Sequence, residues 1–103
     1  MKVLFSKLSV YKLEKLCEYL VEEFSENSKK RFLEKLNSRV QTIVENPQIY
    51  PTSTIDHKIR KCVITKHSIL LYEIQSDCIH ILNLIDSRQD KNAIHEEILK
   101  HFS

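Results

Sequence analysis

The amino-acid sequence predicts an α+β fold, in which a helical hairpin packs on a small, mainly antiparallel four-stranded sheet. Two consecutive stretches have the apolar spacing of amphipathic helices, and three strand-length apolar segments follow them in quick succession. A short apolar segment precedes the helices and a further helical pattern follows the strands, so the predicted order is β-α-α-β-β-β-α. A chain of 103 residues suits one core, and we expect residues 1–103 to form a single domain.

The first predicted strand covers residues 2–6 and is centred on the apolar triplet VLF. Ser6 and Ser9 are both plausible N-caps for the helix that follows. This helix is predicted from apolar residues that recur at i, i+3, i+4, i+7 and i+11, and it should end near Phe24. The residues with this spacing are Leu13, Leu16, Cys17, Leu20 and Phe24.

The second predicted helix follows the polar break at residues 25–28, which contains several N-cap candidates. It should end at Asn46, because a residue that precedes a proline disfavours the helical region, and Pro47 follows. The break between the helices is short, so the two should form an antiparallel hairpin. The apolar residues expected on the inner face of the second helix are Phe32, Leu33, Leu36, Val40, Ile43 and Val44.

Three more strands are predicted at residues 58–64, 69–75 and 79–85, and their short polar connections favour an antiparallel meander. The apolar phase of the last strand changes near Leu82, which indicates a central strand covered on both faces or a β-bulge. The sequence has no glycine, so the tight turns must place Asn, Asp, Ser or His at any positive φ. A final helix capped by Asp90 is expected after the last strand.

Composition and motif spacing argue against several classes of protein. No stretch approaches the roughly 20 apolar residues that span a bilayer, and the apolar run near Met1 is too short for a secretory signal. We therefore expect a cytoplasmic protein that does not enter membranes. Cys17, Cys62 and Cys78 are isolated and should be reduced thiols. Without a glycine-rich phosphate loop or paired histidine ligands, the sequence predicts neither a cofactor nor a bound metal.

One segment of this near-neutral chain is clearly basic. The formal net charge is only +2, but residues 57–72 contain four Lys or Arg, two His and no acid. These cations either protect an edge strand from aggregation or form a binding face for RNA or an acidic partner. The binding candidates in this segment are Lys58, Arg60, Lys61 and Lys66.

Three further binding candidates lie on or after the last two strands. Tyr72 is mid-strand, and is either a core residue or a group for base stacking or proton transfer. His80 alternates with apolar neighbours and should project from the opposite face, as a surface histidine or a binding residue. Arg88 follows the last strand, and either pairs with Asp86 or Asp90 or faces a phosphate.

The order and spacing of these elements resemble those of the RelE/ParE superfamily, the toxins of bacterial type II toxin–antitoxin (plasmid stabilisation) systems. The matching stretches are residues 13–51, 58–74 and 79–92, which together cover most of the chain. The local motifs within them are RFLEKL, NPQIYP and DSRQD. The long helices and the NPQIYP loop are more similar to the ParE-like branch.

This resemblance implies a growth-inhibiting toxin that a cognate antitoxin neutralises in an oligomeric complex, with a ParE-like target such as DNA gyrase. One alternative is a RelE-like endoribonuclease that cleaves ribosome-bound mRNA without a metal. In that branch Arg60 or Lys61 and Arg88 match the phosphate-contacting positions and are the catalytic candidates. The general acid is unassigned, because neither His95 nor His101 near the C-terminus matches the family's position. Another alternative is a degenerate, non-toxic relative that only binds its partner.

Overall fold

The computed structural model describes residues 1–86 and confirms the predicted α+β fold, with the order β-α-α-β-β-β over this part of the chain. The predicted final helix, with its cap at Asp90, lies outside the described residues, and so does Arg88. No helix within residues 1–86 is long and apolar enough to cross a membrane. The elements are β1 (Lys2–Phe5), α1 (Lys7–Glu23), α2 (Glu26–Glu45), β2 (Ile59–Thr65), β3 (Ser68–Gln75) and β4 (Cys78–Asp86).

Both helices begin at serine caps. Of the two candidate caps for α1, Ser6 is the N-cap, and its Oγ accepts a hydrogen bond from the amide of Ser9 at 3.0 Å. Ser25 caps α2 in the same way, with the amide of Ser28 at 3.1 Å. The second helix ends at its C-cap Asn46, as the following proline predicts. Only Phe24 and Ser25 separate the helices, so α1 and α2 pack together as a hairpin.

The sheet has the strand order β1-β4-β3-β2, so β4 occupies a central position. The edge strand β1 runs parallel to β4, whereas β2, β3 and β4 form the predicted antiparallel meander. Leu71 pairs with Asn83 and Tyr72 pairs with Ile81, which leaves Leu82 as an extra residue in β4. The change of apolar phase near Leu82 is therefore a β-bulge in a central strand.

The turn between β3 and β4 consists of Ser76 and Asp77. Ser76 has a φ of 53°, and it is the one non-glycine residue with a positive φ in the described part of the chain. A positive φ at the first residue of a two-residue hairpin turn is typical of a type II′ turn, where glycine is preferred. Here a serine occupies the position, as the absence of glycine from the sequence requires.

Buried side chains form two clusters, one on each face of the sheet. One exposed residue departs from the predicted inner face of α1: Phe24 is 66% exposed, because it is the C-cap, with a φ of −130°, and no longer follows the helical spacing. The cluster beneath the helices contains Phe32, Leu36, Ile43, Cys62, Ile64, Leu70, Tyr72, Ile79, Ile81 and Leu84. The cluster on the opposite face contains Ile59, Leu71, Leu82 and Ile85.

Candidate functional site

Arg60 holds the loop that joins α2 to β2. Its Nη1 donates to the carbonyl oxygen of Tyr50 at 2.7 Å and to that of Gln48 at 3.2 Å. Strand alternation places Arg60 beside Tyr72, its cross-strand partner, on the face that the helices cover. The guanidinium thus contacts the NPQIYP segment, which the sequence analysis had singled out for other reasons.

Tyr72 is a core residue whose hydroxyl also reaches this loop. The side chain is fully buried, and its Oη donates to the carbonyl oxygen of Pro47 at 2.7 Å. Burial raises the pKa of Tyr72 to about 12, although the nearby Arg60 guanidinium acts to lower it. The hydroxyl therefore stays protonated at neutral pH and serves as a hydrogen-bond donor.

Backbone contacts attach the same loop to the outer edge of β2. The amide of Lys61 donates to the carbonyl oxygen of Pro51 at 2.9 Å, and the amide of Ser53 donates to that of Ile59 at 2.6 Å. We call residues 46–53 the clamped loop. The side chains of Arg60 and Tyr72 and the backbone of β2 all hydrogen-bond to this loop. No charged residue occurs between residues 46 and 55, and Ile49 in this loop is 51% exposed.

A small hollow opens where the clamped loop leaves the edge of β2. Arg39 of α2 reaches the edge, and its Nε donates to the carbonyl oxygen of Val63 at 3.2 Å. Val63 itself is 56% exposed. We call this feature the edge hollow; its volume is about 420 Å³, and it is lined by Arg39, Tyr50, Pro51, Lys61, Val63 and Ile69.

A larger concave surface, the hairpin groove, lies between the helices and one end of the sheet, with a volume of about 1060 Å³. Its basic side chains come from both helices and from the β2–β3 turn, and Asp86 lies at the end of β4. Tyr19 and Phe24 meet edge to face in the groove, with ring centroids 6.1 Å apart. The apolar lining residues are Leu16, Tyr19, Leu20, Phe24, Phe32, Leu84 and Ile85, and the basic ones are Lys12, Arg31, Lys35 and His67.

The structure distributes the sequence-predicted binding residues over several surfaces. Lys61 lines the edge hollow, whereas Arg60 and Tyr72 hold the clamped loop.

The other described candidates lie apart from these features. Lys58 precedes β2, and Lys66 lies in the β2–β3 turn. His80 projects from β4 on the face opposite the buried Ile79 and Ile81. Arg88 lies outside the described residues, so its role stays a prediction.

Several cations at these surfaces were missed by the sequence analysis because they lie on helices whose charges cancel overall. Arg31 and Lys35 of the hairpin groove are four residues apart on α2, and Arg39 of the edge hollow is four residues further. Residues spaced in this way share one side of a helix, so a row of three cations could have been found from spacing alone. Within residues 1–86, no three His, Cys, Asp or Glu side chains are grouped so that they could hold a metal ion.

Comparison with known proteins identifies the family. Residues 3–91 match the family model described as the ParE toxin of the type II toxin–antitoxin system parDE. The chain belongs to the ParE toxin family. The predicted relationship to the RelE/ParE superfamily is thereby confirmed, and the chain is a toxin of the type II toxin–antitoxin class. A search of the curated proteins found no match.

Solved structures of ParE-like toxins share the fold. The structure titled "Chromosomal ParDE TA system from P. aeruginosa" matches with a TM-score of 0.72 at 10% identity, covering 84% of this chain and 95% of the other. The "YoeB/ParE toxin from Agrobacterium tumefaciens" matches with a TM-score of 0.63 at 15% identity, covering 84% and 98%. At such low identities the likeness concerns the fold.

Proposed function

We propose that this ParE-family toxin acts in the cytoplasm by binding DNA gyrase, and that a cognate antitoxin holds it inactive in an oligomeric complex. The membership of the chain in the ParE family supports the toxin–antitoxin setting. We favour a binding mechanism over RNA cleavage because of the hydrogen bonds that Arg60 and Tyr72 make.

The contacts of Arg60 and Tyr72 are the observation that carries this choice. A metal-free ribonuclease needs cations and proton-transfer groups directed at the phosphate. Arg60 instead donates to the carbonyls of Gln48 and Tyr50, and the buried Tyr72 has a pKa of about 12 and donates to Pro47. Both groups hold a loop in place, which favours a toxin that works by presenting a surface.

The hairpin groove is the surface that we assign to the antitoxin. Its floor is apolar and aromatic, and Lys12, Arg31, Lys35 and His67 lie along it. An amphipathic helix with one apolar face and one acidic face complements such a groove. Burial of apolar area should provide most of the affinity, and charge should mainly raise the rate of association.

Antitoxin binding is tested by titrating the product of the neighbouring gene against the chain at increasing salt. We expect the association rate to fall with salt while the dissociation rate changes little. Phe24→Asp should weaken binding by roughly tenfold or more, since it places a charge in the apolar floor. Tyr11→Asp is the matched control, because Tyr11 is an exposed aromatic residue of α1 outside the groove. Absence of binding at every salt concentration would contradict the assignment.

The target is tested in two assays run with the same purified chain. The proposal predicts inhibition of DNA supercoiling by gyrase, with ribosome-bound mRNA left intact. Cleavage of the mRNA with supercoiling unaffected would instead establish the RelE-like activity. If the chain binds the antitoxin but has no effect in either assay, it is the degenerate, non-toxic relative.

A further inference from the structure

We infer that the edge hollow and the clamped loop beside it form the surface that contacts the target protein, and that the antitoxin neutralises the toxin by overhanging this surface. The partner group that fits the hollow is a carboxylate flanked by apolar side chains. This inference rests on the proposed function and deepens it, because it separates the residues that meet the target from those that meet the antitoxin.

The two positive charges in the hollow favour binding of an anion. Arg39 and Lys61 both line it, and neither has a carboxylate within ion-pair distance among the described residues. The one described bond of the Arg39 side chain uses Nε, and a guanidinium offers four more N–H donors on its terminal nitrogens. A carboxylate placed between Arg39 and Lys61 would gain charge-assisted hydrogen bonds from both.

The apolar part of the surface favours a protein over RNA. Val63 and Ile49 are both more than half exposed, and Ile69 and Pro51 complete the rim. These exposed side chains are aliphatic, which suits an apolar protein contact, and the aromatic lining residue Tyr50 is partly buried against the core. Binding to single-stranded nucleic acid depends instead on aromatic platforms for the bases. The ten residues from 46 to 55 are uncharged, so they add no cation for a phosphate beside the hollow.

The surface is also held in one conformation before any partner arrives. The carbonyls of Pro47, Gln48, Tyr50 and Pro51 each accept a hydrogen bond from the helix-facing side chains or from the backbone of β2. A loop fixed in this way loses little conformational entropy on binding, which favours affinity. Ile49 contributes little to the core because it is half exposed, so the clamp presents this side chain rather than burying it.

The edge hollow adjoins the hairpin groove. Lys35 of the groove and Arg39 of the hollow are one helical turn apart, about 6 Å. Thr65 of the groove and Val63 of the hollow are two residues apart on β2, about 7 Å. A helix with its side chains is about 10 Å across, so an antitoxin helix seated in the groove would extend over the hollow. Target and antitoxin would then exclude each other without any change in the toxin fold.

Charge reversal in the hollow tests the inference. Lys61→Glu should raise the concentration for half-maximal inhibition of gyrase supercoiling by roughly tenfold or more, because it opposes a carboxylate with like charge. Its affinity for the antitoxin should stay within about threefold of wild type. Lys61→Arg should inhibit as wild type does, which shows that the loss is one of charge and not of folding. Lys7→Glu provides the control: it makes the same charge change at an exposed position outside both surfaces.

The outcomes distinguish failure of this inference from failure of the proposed function, inhibition of DNA gyrase. If wild type fails to inhibit gyrase, the proposed target is wrong, and the inference falls with it. If the wild-type chain and Lys61→Glu inhibit gyrase equally, the hollow is not the target surface, although gyrase remains the target. The same conclusion follows if Lys61→Glu lowers the affinity for the antitoxin and leaves gyrase inhibition unchanged. Loss of mRNA binding by Lys61→Glu would assign the hollow to RNA. Size-exclusion chromatography of a mixture of toxin, antitoxin and gyrase should find toxin–antitoxin and toxin–gyrase complexes only. A complex that contains all three proteins would show that antitoxin and target do not exclude each other.

Discussion

The Nη1 of Arg60 lies 2.7 Å from the carbonyl oxygen of Tyr50, a residue ten positions earlier in the chain. This bond joins β2 to the clamped loop that follows α2, and a second bond from the same nitrogen reaches Gln48. A charged donor makes these bonds stronger than neutral ones. Arg60 therefore fixes the loop beside the edge hollow, and Lys61, the next residue, lines the hollow itself.

Replacement of Arg60 by methionine should destabilise the protein. Arg60→Met keeps much of the apolar stem but removes both bonds to the loop, and we expect the free energy of unfolding to fall by about 1.5–3 kcal/mol. Urea denaturation measures the change. Lys30→Met, at an exposed position of α2, is the control and should stay within about 0.5 kcal/mol of wild type. If the two variants lost the same amount, the loop clamp would contribute nothing to stability.

The hydroxyl of Ser6 makes two contacts of different kinds. It accepts from the amide of Ser9 as an N-cap, and it donates to the carbonyl oxygen of Leu82, the bulged residue of β4, at 2.8 Å. Ser6→Ala should cost about 2 kcal/mol of unfolding free energy, since a cap and a hydrogen bond are each worth about 1 kcal/mol. Ser25→Ala removes a cap without such a link to the sheet and should cost about 1 kcal/mol. Equal losses in thermal or chemical denaturation would show that the bond to Leu82 is not stabilising.

The same serine-to-glycine change should have opposite effects at two positions. Ser76 has a φ of 53°, a region that costs a residue with a side chain about 1 kcal/mol, so Ser76→Gly should raise the free energy of unfolding by a few tenths of a kcal/mol or more. Ser38 lies exposed in α2, and Ser38→Gly should lower the free energy of unfolding by about 0.5 kcal/mol. Chemical denaturation of both variants gives the signs. A destabilised Ser76→Gly would mean that the turn is not strained.

Features that depend on neighbours in sequence could be predicted from the sequence. Ser6 and Ser25 cap helices through amides three residues away, and Pro47 limits α2 through a local steric clash. The bulge at Leu82 could be inferred because an extra residue shifts the alternation of apolar side chains along one strand. These signals fixed the element order and nearly all boundaries to within one or two residues.

Features that depend on distant parts of the chain could not be predicted. The sequence indicates that Arg60 is basic, but its partners at Gln48 and Tyr50 follow from how the loop folds back on β2. Arg39 likewise meets Val63, 24 residues later, only once α2 packs beside the edge of the sheet. Arg88, which the sequence analysis named as a binding and catalytic candidate, lies outside the described residues and stays a candidate.

The pH dependence of stability should reveal the buried Tyr72. Burial raises its pKa in the folded state to about 12, whereas the unfolded chain has the ordinary value of about 10. The unfolded chain therefore loses the proton first, and stability falls as the pH rises from about 10 to about 12, by up to roughly 1.4 kcal/mol per pH unit. Tyr72→Phe has no such proton. It should be about 1 kcal/mol less stable than wild type at pH 7, for want of the bond to Pro47.

The difference between wild type and Tyr72→Phe should then shrink by about 1 kcal/mol between pH 9 and pH 11, because only wild type is penalised by ionisation of this group. Urea denaturation of both proteins at each pH measures this difference, and contributions common to both proteins cancel in the comparison. A difference for Tyr72→Phe that stayed constant from pH 9 to pH 11 would show that Tyr72 ionises in the folded protein as it does in water, which is incompatible with a buried hydroxyl clamping the loop.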